Sequence, residues 1–159
     1  MKQMRLLIPV ILLAVTTIAR AQTTPAAFTD EDLKKYAITM DSVKGMQESL
    51  NNTITEMVRK NTVMKVERYN ELFKIMGDEA KLAEAKATPE EIAFVKSVAA
   101  KRVEESSKIT ATFQKLAKEY VGLKPFNAIK KSLATDQALK EKYETMSKEL
   151  EMQGVKGEK

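Results

Sequence analysis

The 159-residue chain has no histidine, no cysteine and no tryptophan, which removes most side chains that enzymes use for proton transfer, nucleophilic attack and metal binding. Without them there is no Ser-His or Cys-His nucleophile, no zinc site of the usual kind, and no Glu-x-x-His pair such as holds di-iron centres in helical bundles. Glycine-rich phosphate loops are missing as well. The acid–base option left is a pair of carboxylates, with Asp78-Glu79, Glu90-Glu91 and Glu104-Glu105 as candidates. Neighbouring side chains on a helix diverge by about 100°, so none of these pairs converges on one substrate by itself. Glu90-Glu91 moreover stands where a helix start needs capping. The expectation is a protein that is not an enzyme, with no cofactor and no metal.

Three other residue sets bear on binding. Met40, Met46, Met57, Met64, Met76 and Met146 suit an adaptable groove for unfolded chains or lipids, because thioethers repack easily. At helical spacing the same residues also read as plain core. Tyr69-Asn70 and Phe126-Asn127 recur as aromatic-Asn steps; the asparagines are candidates to hold a ligand between them, or else simply cap helices. Asn51-Asn52-Thr53 matches a glycosylation acceptor, but its place inside a helix argues against that use.

The elements that position these residues are helices. Past Pro25 the chain is rich in Ala, Leu, Met, Glu and Lys, and its few Gly and Pro fall where helices can end. No strand is read. Thr29 before Asp30, Glu31 and Asp32 predicts a firm start, with its hydroxyl capping the Asp32 amide and three acids at the positive end of the dipole. An apolar stripe through Leu33, Tyr36, Met40, Val43, Leu50, Ile54 and Met57 carries that helix to about residue 60, where Asn61-Thr62 offers a left-handed stop. A second helix is expected over 63–85, kinked at Gly77-Asp78. Thr88-Pro89-Glu90-Glu91 combines a capping hydroxyl, an N1 proline and a capping-box glutamate, the strongest local signal in the chain. Its helix runs to Gly122. Pro125 marks a last segment to about 152, with a break at Ala134-Thr135-Asp136.

The N-terminus carries an address. Lys2 and Arg5 precede an apolar run over 6–19, and Ala19-Arg20-Ala21 has the small-x-small pattern of a signal-peptidase site. The run is shorter than the roughly 20 residues that span a bilayer, and Pro9 interrupts it. A cleaved leader over 1–21 is therefore expected, then a flexible linker (22–28), one bundle domain (29–152) and a disordered tail (153–159). The protein would be exported, periplasmic or secreted, with no stable membrane insertion after cleavage. Lys2, Arg5 and Arg20 leave with the leader, so the surplus of positive charge falls from five to two. That argues against a nucleic-acid surface. The 138 residues left of 159 suffice for one core without disulfides.

Aligning the chain with itself places Phe28-Thr29-Asp30-Glu31-Asp32-Leu33 on Ala87-Thr88-Pro89-Glu90-Glu91-Ile92, and brings Leu50 onto Ile109, Ile54 onto Phe113 and Met57 onto Leu116 without a gap. After the next turn is shortened by two residues, Tyr69-Asn70-x-Leu72 falls on Phe126-Asn127-x-Ile129. The expected fold is all-α: an antiparallel up-down-up-down four-helix bundle built from two tandem helical-hairpin repeats, 29–86 and 87–152. The opening Phe28-Thr29-Asp30-Glu31-Asp32-Leu33-x-x-Tyr36-Ala37, and the closing Phe126-Asn127-x-Ile129 with Leu133-x-x-Asp136-x-x-Leu139, resemble the two ends of the bacterial "domain of unknown function 4168" family of exported proteins. The resemblance spans most of the mature chain and implies a secreted or periplasmic helical protein of a bacterium. It transfers no activity and no catalytic residue. The expected role is that of a scaffold, adaptor or holdase-like chaperone with a protein partner. Carriage of a small apolar ligand or lipid in the bundle core is the alternative, and a homodimer is a further arrangement the stripe permits.

Overall fold

The computed structural model describes residues 27–152; the expected leader, linker positions 22–26 and the tail over 153–159 lie outside the described residues. Within them there is no strand, and the fold is all-α as expected. Phe28, assigned to the linker, is half-buried against the core.

Thr29 opens α1 (Asp30–Lys60) by a reciprocal box: its hydroxyl accepts from the Asp32 amide at 3.1 Å, and the Asp32 carboxylate accepts from the Thr29 amide at 2.8 Å. Asn61 ends α1, though not through the expected left-handed turn. Its backbone is extended (φ −68°, ψ 153°), and its side-chain oxygen takes the amides of Val63 and Met64 at 3.0 and 2.9 Å. This local bonding competes with helix, so α2 (Val66–Ile75) starts three residues later than expected. Asp78 then caps the Lys81 amide at 3.1 Å and opens a separate α3 (Glu79–Glu84), so the expected kink is a complete break.

α3 closes with Ala87 N–H bonded to Leu82 O and Lys86 N–H to Ala83 O, which leaves Lys86 at φ 52°. Thr88 and Glu91 repeat the reciprocal box at 3.2 and 2.9 Å, with Pro89 first, and α4 (Pro89–Lys115) follows. A π-helical stretch, Leu116–Gly122, extends it. Gly122 adopts φ +91° and turns the chain into α5 (Leu123–Leu133), whose first turn holds Pro125. After Ala134-Thr135-Asp136, where Asp136 caps the Leu139 amide at 3.0 Å, comes α6 (Gln137–Met152).

Two core clusters define the topology. Leu33 and Tyr36 at the start of α1 pack with Ala117 and Val121 beyond the end of α4, while Leu50, Ile54 and Val58 pack with Val95, Val98 and Ile109. α1 and α4 are therefore antiparallel. α2 and α3 stay at the far end of α1, and α5 lies at the near end against Tyr36. Ion pairs Lys142–Asp30 (2.6 Å) and Lys44–Glu151 (2.7 Å) set α6 alongside α1 and parallel to it.

This differs from four helices running up-down-up-down, in which the first and third would be parallel. The reason is length. α1 spans about 46 Å at 1.5 Å per residue, whereas ten-residue α2 and six-residue α3 reach only about 15 and 9 Å. They cannot carry the chain back along α1, so α4 makes the return.

Candidate functional site

The residues singled out by the sequence divide between the two ends of the molecule. Tyr69 on α2 is buried with Leu72 against Val58 and Val95, its ring 5.7 Å from Phe73 and 6.1 Å from Phe94. Phe126 on α5 is buried with Ile129 and Ala117, its ring 5.0 Å from Tyr36 and 5.6 Å from Phe113. Burial pushes the phenols of Tyr69 and Tyr36 above their ordinary value. Asn70 and Asn127 are exposed, one on each short helix. The Val58 and Tyr36 positions where those helices dock are 22 residues apart on α1, or about 33 Å. The structure therefore does not bring Asn70 and Asn127 together on one ligand, and neither makes the side-chain hydrogen bond of a cap.

The carboxylate candidates are also dispersed, and one or both members of each pair are engaged. Asp78 caps α3, and the Lys81 ammonium holds it below the usual range. Glu91 is lowered chiefly by Arg68 and then by the Thr88 amide. Lys108 lowers Glu104, and Lys101 with Lys108 lowers Glu105. A general acid at neutral pH needs a raised carboxyl pKa, so these shifts run the wrong way for that work. Among the described residues no three Asp or Glu side chains gather so as to hold a metal ion.

Arg68 is a contact that sequence reading missed. Its Nε and one terminal nitrogen donate to Glu91 at 3.1 and 3.3 Å, its other terminal nitrogen reaches Glu71 at 2.9 Å, and Ala85 O accepts at 2.8 Å. One side chain thus clips α2, the end of α3 and the start of α4 together. Glu91 and Arg68 side chains are only 14% and 25% exposed, so the pair is better sheltered than a surface ion pair. Nothing in the local pattern around Arg68 signals a partner 23 residues away.

No family model, curated protein or solved structure matches the chain.

What the fold does assemble is a groove. Beyond its own π-helical extension, α4 packs on α1, on α2 near its start and, through Phe113 near its end, on α5. Midway along the pair, Met46, Leu50, Thr53, Lys101, Glu105 and Ile109 therefore line an open groove of about 310 Å³. Met46, Leu50 and Ile109 give it apolar side chains, Ser49 and Thr53 hydroxyls, and Lys101 and Glu105 an ion pair at 2.9 Å. A second open groove of about 460 Å³ runs along α6 past Met146, among charged side chains. The methionines are half-buried at the margins of the two cores, Met40 and Met146 at the α5 end and Met46, Met57, Met64 and Met76 with the other.

Proposed function

We propose that this is an exported bacterial protein, not an enzyme, that acts through its helical surface as a scaffold, adaptor or holdase-like chaperone for a protein partner. The observation that carries the reading is the uncovered groove between α1 and α4. A two-helix seam lined by Met46, Leu50 and Ile109 together with an ion pair can take an extended apolar segment, and Met46 can adjust to its shape. The leader-like N-terminus supports export. The reading keeps the likeness to the domain of unknown function 4168 family as its origin.

The same proposal takes the chain as two tandem helical hairpins, 29–86 and 87–152. Supporting it, Tyr69 sits with Leu72 against Val58 and Val95, while Phe126 sits with Ile129 near Ala117 and Tyr36, which are the same positions in the self-alignment. The two hairpins pack with their long helices antiparallel.

Aggregation of a chemically unfolded client tests the chaperone version. The protein at stoichiometric amounts is expected to suppress light scattering, and Met46→Glu to weaken suppression without loss of helical circular dichroism. Absence of suppression removes the holdase role. The carrier reading is favoured by one observation, a groove volume at the lower end of the range for small-ligand sites. Native mass spectrometry of protein purified from cells separates it: a retained ligand mass supports carriage, and a bare polypeptide mass counts against it.

A further inference from the structure

The two short helices α2 and α5 occupy opposite ends of the molecule, and their outward faces differ in charge. On α2 the exposed residues are Val66, Glu67, Asn70, Glu71, Phe73 and Lys74, a mixed set. On α5 they are Leu123, Lys124, Asn127, Lys130 and Lys131, with no acid anywhere in the helix. At 100° per residue those five positions fall within an arc of about 120°, so three ammonium groups and one leucine share a single face. None of the three lysines forms an ion pair with a described residue. Tyr120, just before the Gly122 turn, and Leu123, just after it, are 41% and 54% exposed. The corner thus carries an aromatic and an aliphatic side chain beside three lysines, with a single acid, Glu119, exposed next to Tyr120.

We infer that the α5 end of the molecule is a docking surface for an anionic phospholipid bilayer. The lysines match lipid phosphates in charge, with each lysine near an anionic surface strengthening adsorption about fivefold. Leu123 decides between anionic partners. A nucleic-acid backbone would satisfy the ammonium groups but leave Leu123 and Tyr120 in water, whereas an interface lets the leucine enter the acyl boundary while the tyrosine ring sits at headgroup depth. No described helix is long and apolar enough to cross a membrane, so the contact is peripheral. This inference goes beyond the groove reading and does not depend on it, since the groove lies midway along α1 and α4.

The chain from Gln22 onward contains both cores and serves for the test. The sequence has no tryptophan, so Leu123→Trp introduces a single indole at the surface in question. With vesicles of phosphatidylcholine mixed with phosphatidylglycerol, its emission is expected to shift to the blue and the protein to co-sediment. Phosphatidylcholine alone, or high salt, abolishes both effects. In the otherwise unsubstituted chain, Lys124→Gln, Lys130→Gln and Lys131→Gln together are expected to lower the vesicle partition coefficient on the order of a hundredfold with circular dichroism unchanged. Lys74→Gln, on the α2 face, leaves it unaltered, and a Phe73→Trp reporter shows no shift. Failure of the unsubstituted chain to bind phosphatidylglycerol vesicles overturns the inference. So does undiminished binding by the triple variant, an indole at 123 that stays in water while the protein co-sediments, or retention by duplex RNA without retention by vesicles.

Discussion

Thr39 is fully buried in α1, and its hydroxyl has no hydrogen-bond partner among the described residues. A buried hydroxyl without a partner costs about 1–2 kcal/mol, and valine has the same shape without it. In the self-alignment the equivalent position is Val98, itself fully buried. Thr39→Val is therefore expected to raise unfolding free energy by about 1–2 kcal/mol in urea titrations; a loss would show that the oxygen is satisfied. The capping carboxylates act in the opposite sense. Asp32, held down first by the Thr29 amide, and Glu91, held down first by Arg68, titrate below their ordinary values of 3.8 and 4.5 in the folded chain. Their contribution is complete above those ordinary values. As pH falls through the lower folded values, the unfolded chain binds more protons and stability drops. The denaturant midpoint is expected to fall below about pH 4.5, and Glu91→Gln to lower it at neutral pH while flattening the acid limb. The caps were legible in sequence because they join residues three apart. Arg68–Glu91 was not, because only packing brings them together.

At the scale of elements, two left-handed residues decide where the chain turns. Gly122 at φ +91° allows the reversal from the π-helical stretch into α5, and a Cβ there would stand 3.3 Å from the Pro125 ring. Gly122→Ala is expected to cost about 1–2 kcal/mol in thermal or urea unfolding. Lys86 holds φ 52° with a side chain that disfavours it, so Lys86→Gly should gain about 0.5–1 kcal/mol in the same assay. Gly122 was readable because glycine before Pro125 advertises a turn. Lys86 was not, since a lysine carries no such signal and the closing bonds to Leu82 and Ala83 exist only once α3 stops there. The split of the expected second helix at Asp78 shows the same limit. Periodicity reports that residues face inward, but a local cap decides whether the helix between them is continuous.

On the scale of the whole molecule, α1 and α4 are the described helices that contribute side chains to both cores, and this predicts separable local unfolding. Leu72→Ala should cost about 2–5 kcal/mol and strip amide exchange protection around Val58 and Val95 before that around Tyr36. Ile129→Ala should do the reverse, and exchange measured by mass spectrometry on both variants distinguishes this from a single cooperative core. By itself the sequence determined the helical class, the threonine caps at Thr29 and Thr88 and most of the buried stripe, since these follow from contacts within a few residues along the chain. It also determined that no histidine or cysteine chemistry is available. Only tertiary structure decided that α1 and α4 run antiparallel, that Asn70 and Asn127 stand at opposite ends, and that Met46 borders an open groove. The physical reason is that an apolar stripe specifies burial without specifying a partner. Helix direction and spare surface depend on how far each connection reaches and on which faces remain uncovered after the others have packed.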